Sequence, residues 1–225
     1  MSVQVVGVCA FAHGWVGVVL RDGRFDRAVL APALFQLIAD SCGTIVFGVD
    51  CPLGALPDRW RAADTAAADY VGPRRGSIFR VAPLPVWQEA DFAAALKRCK
   101  ALTGQNLSRQ AWAVRPKILE ANALWAHHPG LLVEAHPEVS FRAMAGRVLP
   151  DAKKTWTGQA IRRELLAGNG IVLPERLGPA GQAPPDDLLD AAAVAWTAHR
   201  KATHTACSHP DPPEQHNGST IAIWY

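Results

Sequence analysis

Apolar segments of two kinds alternate along the first quarter of the chain. Val3 to Ala10 carries β-branched residues at Val3, Val5, Val6 and Val8, and Trp15 to Leu20 and Phe25 to Leu30 follow; all three read as strands. Arg21-Asp22-Gly23-Arg24 places an Asp-Gly pair between the second and third, which predicts an antiparallel hairpin, and Phe11-Ala12-His13-Gly14 joins the first strand to the second. Pro32 opens a helix through about Asp40, with Leu34, Leu37 and Ile38 on one face and Gly43 ending it. Thr44 to Asp50 then runs without polar alternation, the pattern of a strand buried on both faces, and Cys51-Pro52-Leu53-Gly54 stops it.

Beyond Leu53 the alternation breaks. Arg59 to Tyr70 is Ala-rich and helical, Val81 to Val86 reads as a Pro-interrupted loop, Trp87 to Leu102 as a helix ending near Gly104, and Ser108 to about Ala126 as one or two more. Leu131 to Pro137 returns to strand character with Glu134 inside it. Val139 to Ala145, Thr155 to Ala167 and the stretch from Asp186 to about Thr203 are helical. His204 to Gly218 is polar and Pro-rich, and Thr220 to Tyr225 reads as a terminal strand or packed hook. Three antiparallel strands, a helix and a further strand predict an α/β fold: a ribonuclease H-like mixed sheet with flanking helices. On this reading residues 1–225 form a single domain with a helical insertion at about 55–129.

Composition narrows the class without naming a partner. Of 225 residues, 49% are hydrophobic and 19% charged, ordinary values for a folded protein, and the net charge of +3 is compatible with a polyanionic, nucleic-acid ligand without announcing one. The 5 cysteines lack C-x-x-C spacing, so free thiols in a reducing cytosol are expected. There is no basic region followed by an apolar stretch and a cleavage site, and no run of about 18 apolar residues. The expectation is a cytoplasmic chain with no membrane partner; nothing in the pattern sets an oligomeric state.

The candidate chemistry is acidic. Asp50 ends a central strand at the rim where open α/β sheets place ligands. Glu134 lies in another strand, and Asp187 and Asp190 are three apart on one helical face. Carboxylates converging from strand ends and a helix suit Mg²⁺ or Mn²⁺, and two such ions about 3.5–4 Å apart can drive phosphodiester hydrolysis. Asp50, Glu134, Asp187 and Asp190 are therefore the candidate metal ligands and catalytic residues. Two blander readings stand beside this one. Asp187 and Asp190 also suit a helix start, and a buried Glu134 also suits an ion pair with an arginine. Arg75 and Ser77 in Arg74-Arg75-Gly76-Ser77, together with Lys117, His136 and the pair Lys153 and Lys154, Lys154 foremost, are candidate phosphate contacts; surface turns, solvated lysines and a hydrogen-bonded structural histidine are the alternatives.

Several motifs occur in a fixed order: Val6-Gly7-Val8 with Gly14-Trp15-Val16, Val49-Asp50-Cys51-Pro52-Leu53-Gly54, Arg75-Gly76-Ser77-Ile78-Phe79, Leu107-Ser108-Arg109-Gln110, Arg115-Pro116-Lys117-Ile118, Val133-Glu134-Ala135-His136-Pro137-Glu138-Val139-Ser140-Phe141, Lys153-Lys154-Thr155 and Asp187-Leu188-Leu189-Asp190-Ala191. Through them the chain resembles the domain-of-unknown-function 429 family of predicted ribonuclease H-like nucleases. The resemblance implies a ribonuclease H-like core and a two-metal acidic site, in an architecture related to Holliday-junction resolvases. One position departs: where that family usually carries an acid in the first strand, this chain has Cys9, a soft ligand poorly matched to Mg²⁺. Two functional expectations result. The first is a metal-dependent nuclease impaired by Cys9, and the second a catalytically inactive nucleic-acid-binding or regulatory relative. A nucleotide-binding phosphotransferase relative is a weaker third, since no Gly-rich phosphate loop of known spacing is present.

Overall fold

The computed structural model describes residues 2–128 and 130–225; Pro129, the expected end of the insertion, lies outside them. β1 (Gln4–Phe11), β2 (Gly14–Arg21) and β3 (Arg24–Ala31) form an antiparallel meander. Asp22 and Gly23 both take positive φ (50° and 77°) at the Asp-Gly turn, the geometry that a two-residue hairpin of this hand requires. After α1 (Leu34–Ala39), β4 (Thr44–Asp50) and β5 (Leu132–Glu134) add in parallel on the other side of β1, giving the strand order β3-β2-β1-β4-β5. This mixed sheet with helices packed on it is the ribonuclease H-like α/β fold expected from the sequence.

Between β4 and β5 run α2 (Ala62–Val71), a 3-10 turn over Gly72–Ser77, α3 (Leu84–Trp87), α4 (Phe92–Thr103), α5 (Arg109–Ala113) and α6 (Arg115–His127). The stretch read as a Pro-interrupted loop contains α3, because Pro85 falls in the first turn, where no intrahelical N–H is needed. The helix expected from Trp87 begins instead at Phe92, where the Asp91 side chain caps it by accepting from the Ala94 N–H at 2.9 Å. β5 is shorter than its apolar run, since His136 becomes the cap of α7 (Pro137–Ala145). α8 (Trp156–Gly168) and α9 (Pro185–Ala202) follow. The Pro-rich tail forms a strand, β6 (Ser208–His216), paired antiparallel to β7 (Ser219–Trp224) in a separate two-stranded sheet. None of the described helices is long and apolar enough to cross a membrane.

Side-chain alternation splits the core. Val6, Val8, Phe47, Val49 and Leu132 face α1 and the helices of the insertion, whereas Val5, Cys9, Val46 and Val133 face α9. α9 comes unusually close. A Cβ on Gly7 would lie 2.0 Å from the Ala195 nitrogen and 2.2 Å from the Ala191 oxygen, and one on Gly48 would lie 2.7 Å from the Val194 oxygen. Gly7 and Gly48 are partners in the β1–β4 register, so together they form a trough across the sheet into which the Ala-rich face of α9 settles. A Gly7→Ala substitution would drive its methyl into helix backbone that no side-chain rotation can clear. It is expected to destabilise the protein by at least the ~1–3 kcal/mol typical of overpacking, read as a lowered urea midpoint with an unchanged slope.

Candidate functional site

β1 and β4 end side by side with Cys9 opposite Asp50, both directed toward the α9 face. α9 begins directly above them, started by Pro185 and carrying Asp186 and Asp187 in its first turn, with Asp190 one turn on. The thiol of Cys9 donates to Asp50 Oδ2 at 3.4 Å. One donor atom each from Cys9, Asp187 and Asp190 lies within 4.8 Å of the other two. Asp50, Asp187 and Asp190 therefore converge as the sequence led us to expect.

The centre also contains a cation. Lys153 Nζ donates to Asp190 Oδ2 at 2.5 Å and lies 3.6 Å from Asp186 Oδ2. Burial opposes the charge on Lys153, but Asp190 more than restores it and raises its pKa above the ordinary value. Burial pushes Asp50 up to about 6, with Lys153 and the Cys9 hydrogen bond pulling the other way, and pushes Asp190 up to about 7. Asp187 is raised by burial and by its neighbour Asp186. Burial and the surrounding carboxylates hold Cys9 well above an ordinary thiol, so it is protonated at neutral pH.

Glu134 does not join this group, and its expected role as a metal ligand is corrected. It stands opposite Val49 in the β4–β5 register, which turns it to the other face of the sheet. There Arg61 holds both its oxygens, Nη1 to Oε2 at 2.6 Å and Nη2 to Oε1 at 2.8 Å, while the Leu53 N–H donates to Oε2 at 2.7 Å. Arg61 also binds Asp64, whose Oδ2 accepts from the Val81 N–H at 2.7 Å. Arg61, Asp64 and Glu134 are all buried, and each charge is met by an opposite one and by backbone. The arginine ion pair, the alternative for Glu134, is what forms.

A cavity of about 720 Å³ spans the rim between these two groups, bordered by Asp50, Glu134, Asp190, His136, Lys117 and Lys154 among others. His136 is held between the Glu138 N–H, which donates to Nδ1, and the Ser77 carbonyl near Nε2, both at 3.3 Å; burial lowers its pKa, so the ring is neutral. Ser77 borders the cavity, but its hydroxyl donates to the Arg74 carbonyl at 2.8 Å. Lys117 lies 4.7 Å from the Trp15 ring centre and 3.9 Å from Glu120. Lys154 is exposed at the cavity edge. Arg75 is corrected: it is exposed, 3.9 Å from Asp69, and does not border the cavity. Its neighbour Arg74 does, with its guanidinium bound to the carbonyls of Leu149 at 3.2 Å and Pro150 at 2.5 Å.

The donor set does not fit the pair of Mg²⁺ or Mn²⁺ ions that the fold family implies. The bridging first-strand acid is a protonated thiol, Glu134 is bound by Arg61, and Asp190 already holds an ammonium. Sequence reasoning passed over Arg61, and it named Lys153 only within the Lys153-Lys154 pair as a phosphate contact, not as a partner of the acids. The signals were an arginine three residues before Asp64 in an Ala-rich helix, and a Lys-Lys pair just before a Thr-capped one.

The family model described as "Protein of unknown function (DUF429)" matches residues 7–215. No curated protein and no solved structure matches the chain.

Replacing Arg61 with Met strands two buried carboxylates and is expected to cost about 3–5 kcal/mol in urea unfolding, part of it recovered by adding Glu134→Gln. The raised carboxyls also fix a sign for pH. Asp50 binds its proton more tightly folded than unfolded, so its contribution is complete below about 4 and is lost as pH rises through about 6. Unfolding midpoints across this range should fall with rising pH in the native chain and fall less steeply in Asp50→Asn.

Proposed function

The chain belongs to the DUF429 family, and on that footing we propose that it binds nucleic-acid phosphodiesters in the rim cavity without hydrolysing them through a divalent-ion pair. The observation that carries this reading is Cys9: a buried, protonated thiol bonded to Asp50 stands at the first-strand position where the fold's nucleases need a bridging acid. Part of the cavity's border supports this reading with cationic groups that a phosphate could meet. Lys117 and Lys154 border it with ammonium groups, and Trp156, two residues beyond Lys154, is 89% exposed. An aromatic face next to a cationic rim suits a stacked base with its phosphate on lysine. Metal-dependent hydrolysis is the second reading, favoured by the approach of Cys9, Asp187 and Asp190 to within 4.8 Å.

Labelled single- and double-stranded DNA and RNA, incubated with the protein and Mg²⁺ or Mn²⁺, separate the two readings by anisotropy and gel in one experiment. Salt-sensitive binding with no cleavage is expected. Lys154→Glu and Trp156→Ala should each weaken single-strand binding by about tenfold, the size of one lost phosphate contact or one lost stack. Absence of binding to any of these nucleic acids rejects the proposal. Metal-dependent cleavage that Asp50→Asn abolishes establishes the second reading instead.

A further inference from the structure

Lys153 is not placed as a surface lysine is. The segment that carries it is pinned on both sides. Upstream, Arg74 grips the Leu149 and Pro150 carbonyls at 3.2 and 2.5 Å, and Arg162 donates to the Asp151 carbonyl at 3.1 Å. Downstream, Thr155 caps α8 by accepting from the Gly158 N–H at 3.0 Å. Gly158 lies so near the Ala152 carbonyl that a Cβ there would be 1.9 Å from its oxygen. The backbone on either side of Lys153 is thus set before the side chain extends. The ammonium that it delivers lies 2.5 Å from Asp190 and 3.6 Å from Asp186, and its charge also bears on Asp50 and Asp187.

From this geometry we infer that Lys153 is the resident cation of the acidic centre: its tethered ammonium stands where a divalent ion would be drawn, and such an ion is admitted only when Lys153 is removed. A tethered group acts at an effective concentration of millimolar or above, so a dissolved ion at comparable concentration must displace a partner that is always present. Mg²⁺ faces a second obstacle, because it demands near-octahedral oxygen ligation and Cys9 offers sulfur. With Lys153 gone, Asp50, Asp186, Asp187 and Asp190 are left close together with only the exposed Lys154, whose charge bears on Asp187, to oppose them, the condition that recruits a divalent ion.

The test is Mn²⁺ binding followed by the electron paramagnetic resonance signal of the free ion, with no nucleic acid present, so that its result stands apart from the ligand reading. The native protein and Lys153→Arg, which keeps the cation, should leave Mn²⁺ free. Lys153→Met, which keeps most of the stem, should bind it tighter by about tenfold or more. Equal uptake by the native protein and Lys153→Met overturns the inference, as does uptake by neither. If Lys153→Met is unfolded in metal-free buffer, Mn²⁺ must restore its native circular dichroism, because the ion then supplies the missing charge; failure to restore it also overturns the inference.

Discussion

The approach of α9 to the sheet is the constraint on which the centre depends. Where two glycines face one another across β1 and β4, the helix backbone takes the space that side chains would fill. Ala191, Ala192, Ala193 and Ala195 are fully buried along this helix, and their small side chains permit the close contact. Once the helix axis is fixed there, its first turns must lie over the C-terminal ends of the same two strands. Asp187 and Asp190 consequently stand above Cys9 and Asp50, and their separation is set by backbone packing. The seam is apolar and made of the smallest side chains, yet it determines where the charges sit.

Strand parity then divides the acids. Asp50 and Glu134 both lie at the same end of the sheet, but one residue of register separates them, and one residue reverses the face. Each face supplies its own cation. Arg61 meets Glu134 and Asp64 with a planar fork that satisfies two carboxylates at once, in a place where an unpaired charge would be very costly. Lys153 supplies a single point charge to a group of four acids, Asp50, Asp186, Asp187 and Asp190. Burial first, and repulsion from the neighbouring acids second, raise Asp50 and Asp190 to about 6 and 7 even beside an ammonium. The two systems are chemically different: one sets two carboxylates on a single buried guanidinium with every oxygen hydrogen-bonded, the other gathers four carboxylates around a single ammonium.

Much of this was legible in the chain. The apolar runs, the Asp-Gly turn and the helix-stopping glycines identify the βββαβ opening and the order of elements, because each rests on local preferences that the fold leaves intact. The convergence of Asp50 with the Asp187–Asp190 turn also followed, since strand ends and a helix start share one rim. Parity between β4 and β5 did not follow. The segment between them is long and helical, and no hairpin ties the two registers together, so the face of Glu134 was open. The pairing of Lys153 with the acids was hidden for a related reason. The neighbouring Lys154 has the same side chain, and only the pinning of the Leu149–Thr155 segment by Arg74 and Arg162 decides which of the two turns inward.

The C-terminal tail shows the same dependence on distant partners. α2 has no side-chain cap of its own. Glu214, from the Pro-rich strand β6, reaches its first turn, accepting from the Ala62 N–H at 3.1 Å while it pairs with Arg59 at 3.3 Å. A carboxylate there satisfies an orphan donor and suits the positive end of the helix. The residue it anchors is next to Arg61, so the tail holds in register the arginine on which Glu134 relies. β7 continues the same wall: Trp224 bridges to Ala135, immediately after Glu134, and Ile223 borders the cavity. A segment that reads from composition as a polar, proline-broken appendage is therefore part of the frame of the site. Proline is tolerated there because β6 pairs on only one side, and an edge strand needs only part of its N–H groups for the ladder.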